Sequence, residues 1–345
     1  MSRVGRDNNN VRSLRQRTKT ARKDENNTVR ESLLAALAAN EKLVVLTSAL
    51  ATHALPDSTN RLAALTREVA SSYPARFFGL GELLEDLVPT AHELLERGLR
   101  PLVLMGSTDL ARSYAGLSAL CAAHAPVIFL LATGTEEGQT WQAQGANDLA
   151  ILRTLPPLWI GVPGSPASFK QQLALALQNE AGPVALHYTS PVKPTLVHLR
   201  VSDNLGIGKA QMLREGKDLV ILSLGQAVET ALTVAADLAK MGREAAVVDA
   251  AWLRPLDEAL LGAVANYFSR LVTLEAGSLN AGFGAALLEL FEAKGLHSLH
   301  LKRISLDDYP SPERLTDEVA HFLDKTLQTQ GLAGSSLVHL RPSGA

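Results

Sequence analysis

At 345 residues, with 46% hydrophobic and 20% charged side chains and a formal net charge of −2, the chain has ordinary globular composition and is too long for one core, so two domains are expected. The near-neutral bulk charge argues against nucleic acid, and no apolar run reaches the length of a membrane span. The single cysteine, Cys121, excludes a disulfide scaffold or a cysteine-rich metal site; it fits a reducing compartment, read as the cytoplasm with an organelle matrix as the alternative.

The first 30 residues hold nine of the 33 Lys/Arg but three of the 35 Asp/Glu, which leaves the rest of the chain acidic. Residues 1–28 read as a solvated basic arm, able to lie on the acidic body or to grip an acidic partner. The start, MSRVGRDNNN, lacks the apolar stretch of a secretory signal.

From there, apolar spacing predicts a helix near 28–39, a buried strand over 43–50, a loop-like 51–60 and a helix over 61–74. The run 76-RFFGLGELLEDLVPTAHELLERGLRP-101 leads from an aromatic pair through a Gly-rich step into an acidic helix. A strand over 101–106, a helix over 109–125 and a strand over 126–133 follow. Cys121 on that helix reads as a small buried apolar residue. Residues 134–148 form a long Gly-rich loop of the kind that covers sites. Helix 149–155, strand 158–164, helix 165–179 and strand 183–189 complete a first unit over 29–194.

A linker with short β segments is expected over 195–216. A second unit spans 217–328, with strands at 218–225, 244–250, 270–276 and 298–305 between helices at 226–241, 257–268, 283–294 and 313–330; a frayed tail covers 329–345. Strands alternating with helices predict an α/β class, as two three-layer domains with parallel or mixed sheets.

General catalytic motifs are missing. There is no G-x-x-x-x-G-K-[ST], H-E-x-x-H or G-x-S-x-G, and the G-x-G at Gly282–Gly284 lacks the third glycine of a dinucleotide fingerprint.

Longer phrases are more informative. 247-VVDAAWLRPLDEALL-261, 271-LVTLEAGSLNAGFGAAL-287 and 304-ISLDDYPSPERL-315 resemble, in order, the C-terminal domain of the transketolase superfamily. Within it, 69-VASSYPARFFGL-80, 106-GSTDLARSYAGL-117 and 137-EGQTWQ-142 resemble the pyrimidine-binding domain of 1-deoxy-D-xylulose-5-phosphate synthase, a thiamine-diphosphate enzyme. The likeness covers about 29–326; the domain that grips the diphosphate and magnesium has no counterpart in this sequence.

The resemblance implies a glutamate that hydrogen-bonds the cofactor's aminopyrimidine and supports acid–base chemistry. Here that position is Leu84, reached without a gap from either side. On a helix Glu85 points about 100° and Glu82 about 200° away from it, so neither shares its face and both are weak substitutes. The ring-stacking aromatic falls on Asp109 and a neighbouring tyrosine on Gly106. The substrate-side histidine falls on Trp141, its preceding aspartate on Glu137, and two phosphate-binding arginines on His187 and Ser190. Arg112 alone keeps its place, either to grip phosphate or carboxylate or to pair with an acid beside the loop.

Three expectations follow from the resemblance. The first is a degenerate relative that binds no cofactor alone and acts as a regulator or scaffold, by homodimerising or by docking on a transketolase-type or synthase-type chain. The second is the β-like half of a split thiamine-diphosphate transferase, completed by a chain that holds the diphosphate and magnesium. The third is a small-ligand module lined by Asp109, Arg112, Glu137 and Trp141.

Overall fold

The computed structural model describes residues 29–48, 61–80, 86–133, 147–155, 157–189, 206–309 and 311–337. The basic arm, the loop-like 51–60, the loop over 134–146, residues 190–205 and the end of the tail lie outside the described residues, as do Glu82, Leu84, Glu85, Glu137, Trp141 and Ser190.

The first unit opens with α1 over 29–39. It continues through β1 (Leu43–Ser48), α2 (Arg61–Ser72), β2 (Phe77–Leu80), α3 (Leu87–Glu96), β3 (Arg100–Met105), α4 (Ser107–Arg112), α5 (Tyr114–Ala122), β4 (Ile128–Thr133), α6 (Asp148–Arg153), β5 (Trp159–Gly161), α7 (Pro166–Gln178) and β6 (Val184–Thr189). The second runs β7 (Gln211–Arg214), β8 (Leu219–Ser223), α8 (Ala227–Lys240), β9 (Ala245–Asp249), β10 (Trp252–Arg254), α9 (Glu258–Tyr267), β11 (Arg270–Glu275), α10 (Phe283–Ala293), β12 (His300–Ser305) and α11 (Pro312–Leu337).

These elements build two sheets, ordered β10-β5-β6-β4-β3-β1-β2 and β12-β11-β8-β9-β7. Each is parallel except for one antiparallel edge strand, β10 in the first and β7 in the second. The class is α/β with mixed sheets, as the alternation predicts. β1, β3, β8, β9 and β11 are buried along their whole length, as helices on both faces require.

Helix starts follow local chemistry. Ser165 caps α7 by accepting the Ser168 N–H at 3.1 Å, with Pro166 in the first turn. Asp257 caps α9 by accepting the Leu260 N–H at 3.1 Å. Helices α1, α2 and α7 cover one face of the first sheet through Leu33, Leu37, Val69 and Phe169. On the other face Leu87, Leu94 and Leu117 belong to a cluster that continues without a break into Leu261, Val264 and Leu287 of the second unit. The outer face of the second sheet is closed by α8 and α11 through Val234, Leu238, Val319 and Leu323.

Three features differ from the periodicity reading. The helix expected over 109–125 begins earlier, at Ser107, and is broken into α4 and α5 at Ser113, where ψ is 10°. Phe77–Leu80 forms a strand beside β1 rather than the approach to a helix. It is fixed there by Arg76, whose Nη1–H donates to Asn40 O at 2.9 Å while the guanidinium lies 4.6 Å from the Tyr73 ring centre. β10 leaves its own unit and pairs with β5. The turn comes from Ala251, at φ +56°, whose N–H donates to Asp249 Oδ1 at 2.8 Å. The Ala251 carbonyl accepts from Val162 N–H at 2.9 Å and Gln172 Nε2 at 2.8 Å in the first unit. Trp252 is then fully buried.

Candidate functional site

The described residues that the resemblance singles out gather at the C-terminal ends of β3 and β6, the usual site end of a parallel sheet. Gly106 follows β3 and is the N-cap of α4. Asp109, in the first turn of α4, is 7% exposed, and its Oδ2 accepts the Gly106 N–H at 3.0 Å. That is a helix-start role, favoured by the positive end of the helix dipole.

His187, near the end of β6, is 7% exposed. Its Nε2 lies 3.2 Å from Asp148 Oδ2, and the same oxygen accepts the Ser107 hydroxyl at 2.6 Å. Asp148 opens α6 and is 2% exposed. The three side chains tie the starts of α4 and α6 to β6. Sequence reasoning missed Asp148 and Ser107; both stand at helix starts, a signal that marks caps and says nothing of a meeting across the sheet.

Arg112 ends α4, is exposed, and forms no ion pair among the described residues. Of the sequence-predicted residues, the structure brings Asp109 and Arg112 onto one short helix and sets His187 beside that helix's Ser107 through Asp148. Cys121 is fully buried on α5, and burial pushes its thiol up to about 11, so it packs as an inert apolar residue.

Below this network the two units meet. His187, Leu149 and Val162 share a cavity of about 20 Å³ with Leu224, Gln226 and Glu275 of the second unit, room for about one water. Glu275 ends β11 and is 1% exposed. It accepts the N–H groups of Phe283 at 2.5 Å and Gly284 at 2.8 Å, capping α10 from a distance. Burial raises its carboxyl above the usual range, against the pull of those two N–H bonds and of Arg303 and Arg153. The glycines exist for this cap: a Cβ at Gly282 would meet Glu275 Oε2 at 2.0 Å. Arg153 latches the joint, donating to Ala281 O at 2.9 Å and to Glu289 at 2.6 Å. Arg254 returns from the second unit to Arg153 O at 2.6 Å and Leu155 O at 3.2 Å.

Tested against thiamine diphosphate, these positions do not fit. A buried carboxylate committed to its own helix stands where the resemblance expects a stacking ring. A buried imidazole committed to Asp148 stands where it expects a phosphate-binding arginine. Among the described residues no group of three or more metal-ligating side chains converges, and no helix is long and apolar enough to cross a membrane.

Residues 208–323 match the transketolase C-terminal domain family. The chain is 33% identical over 292 residues to a 1-deoxy-D-xylulose-5-phosphate synthase of Desulforudis audaxviator, covering 80% of this chain and 46% of that protein. It is 36% identical over 273 residues to that of Thermomicrobium roseum, covering 77% and 41%. Among solved structures it is similar to a chain described as a split gene transketolase, inactive beta4 tetramer, with a TM-score of 0.71, 24% identity, and coverage of 86% of this chain and 97% of that one. A transketolase of Campylobacter jejuni gives a TM-score of 0.56 at 16% identity, over 78% of this chain and 45% of that one. These two structural likenesses establish the fold. The chain spans less than half the length of the curated relatives it matches.

Proposed function

Since the chain belongs to the transketolase superfamily, we propose that it is a catalytically degenerate relative of 1-deoxy-D-xylulose-5-phosphate synthase that acts by association, as a homodimer or docked on a chain of that type. The observation that carries this reading is the internal use of Asp109 and His187, two positions where the resemblance expects ligand contacts. Leu84, at the position of the tautomerising glutamate, adds to it, since a hydrocarbon side chain can neither accept nor donate a proton.

The test is light scattering and calorimetry on the full chain. An oligomer that gives no heat with thiamine diphosphate and magnesium is expected. Saturable binding of the cofactor by the chain alone overturns the reading. Gain of that binding in Leu84→Glu would show that this one side chain, and not the closed network, holds the cofactor out.

A second reading is the β-like half of a split thiamine-diphosphate transferase. What favours it is the fold likeness to a chain described as split-gene transketolase, of which 97% is covered. Mixing with a separately expressed diphosphate-binding half of a 1-deoxy-D-xylulose-5-phosphate synthase separates the two. Pyruvate decarboxylation that appears only in the mixture selects the split enzyme. A complex without turnover selects the degenerate partner. A chain that stays monomeric and captures nothing overturns both.

A further inference from the structure

The joint between the two units carries several unfavourable features at one point. At the end of β9 the chain turns through Ala250 and Ala251 and sends β10 to the edge of the first sheet, where Trp252 lies opposite Gly161 and Arg254 opposite Ile160 of β5. The docked segment buries the carboxyl of Asp249 at its pivot. It holds Ala251 at φ +56°, a region that a Cβ disfavours. It also leaves the Trp252 indole N–H and Gln172 Oε1 buried without a hydrogen-bond partner among the described residues. Against these stand the two bonds accepted by the Ala251 carbonyl, from Val162 N–H and Gln172 Nε2, and the burial of the Trp252 ring in the core of the first unit. Most of β9 is packed elsewhere, with Ala245 and Val247 in the outer core of the second unit. Gains and losses of docking therefore fall on one short segment, 249–254, whose release leaves both sheets in place.

The pivot responds to pH through burial. Burial pushes the Asp249 carboxyl up to about 7, against the pull of the Ala251 N–H. The flanking strands place Ser223 of β8 and Gln211 of β7 opposite it, and neither ionises. Of the charged groups on the surrounding elements, Arg214 of β7 pairs with Glu244, and Arg254 of β10 donates to the carbonyls of Arg153 and Leu155. Neither these nor Glu229 of α8 and Lys170 of α7 act on Asp249. While the segment is docked, the carboxyl keeps its proton up to about pH 7. Once the segment opens and the group is hydrated, the proton is lost in the ordinary carboxylate range. Docking is therefore tightest in acid, weakens as pH rises toward 7, and levels off above it.

We propose that residues 249–254 form a latch between the two units, which frees β10 from β5 when Asp249 gives its proton to solvent and leaves both sheets otherwise folded. The latch does not depend on whether the first unit holds a cofactor. Hydrogen exchange of the full chain tests it, with amide protection corrected for intrinsic exchange and compared at about pH 5 and about pH 8. Protection of 159–162 and 252–254 should fall about a hundredfold between the two, the difference set by a carboxyl that titrates near 7 when docked and in the ordinary range when open. The central strands 219–223 and 271–275 should change by a much smaller factor. Asp249→Asn is isosteric and keeps an oxygen for the Ala251 N–H, so it should remove the fall at 159–162 and 252–254. Protection that does not vary with pH, the same fall in Asp249→Asn, or an equal fall in the central strands overturns the proposal.

Discussion

The two units use buried carboxylates differently. In the second, Asp249, Asp257 and Glu275 each accept backbone N–H groups and so fix a turn, a helix start and a distant cap. These lie within residues 208–323, which match the transketolase C-terminal domain family. In the first, Asp148 serves side chains, Ser107 and His187, and Asp109 serves a single N–H of its own helix. The carboxylates of the second unit serve backbone groups, while the network at the first unit's site end joins side chains from α4, α6 and β6. A scaffold carboxylate cannot be exchanged without orphaning buried N–H groups.

The comparison can be broken by substitution. Glu275→Ala should cost the most, about 3 kcal/mol, because it leaves two buried N–H groups and the start of α10 without an acceptor; a loss below about 1 kcal/mol in urea unfolding would show that Glu275 is no scaffold residue. Asp148→Ala should cost about 2 kcal/mol by stranding the Ser107 hydroxyl and the His187 ring, and Ser107→Ala made in the same chain should add little further.

The next effect is a dependence on pH. Burial raises Asp249 to about 7 and Asp307 to about 6, so the folded chain keeps protons that the unfolded chain has already released. Stability should therefore fall as pH rises from the ordinary carboxylate range through about 7, then level off. Asp249→Asn keeps an oxygen for the Ala251 N–H and should flatten most of that fall, gaining about 2 kcal/mol above neutrality. Denaturant curves on either side of neutrality decide it, and an unchanged slope would contradict the assignment.

Asp109→Ala should cost about 1 kcal/mol, the ordinary worth of a helix-start carboxylate. The smallest effect is expected of Arg112→Ala, within about 0.5 kcal/mol, since the side chain is exposed and ion-pairs with nothing among the described residues. A change in oligomer size or partner affinity in that variant, with stability intact, would give Arg112 a recognition role.

Much of the fold was readable because local rules agree. Apolar runs such as 219-LVIL-222 announced buried strands, and Ser165-Pro166 and Asp257 announced helix starts. The site was readable only by resemblance, which pointed at Asp109 and His187 but not at their partners. Asp148 and Ser107 lie on different helices, and their meeting with His187 leaves no periodic trace. Phe77–Leu80 was missed because a four-residue strand after a proline turn carries too little alternation to register.

The sequence by itself determined the alternation of strands and helices and the starts of several helices, because each rests on neighbours along the chain. Tertiary structure alone decided that Trp252–Arg254 crosses to the first sheet and that Gly282 makes room for a carboxylate seven residues back. Those outcomes depend on which surfaces meet after packing, and spacing along the chain does not record that.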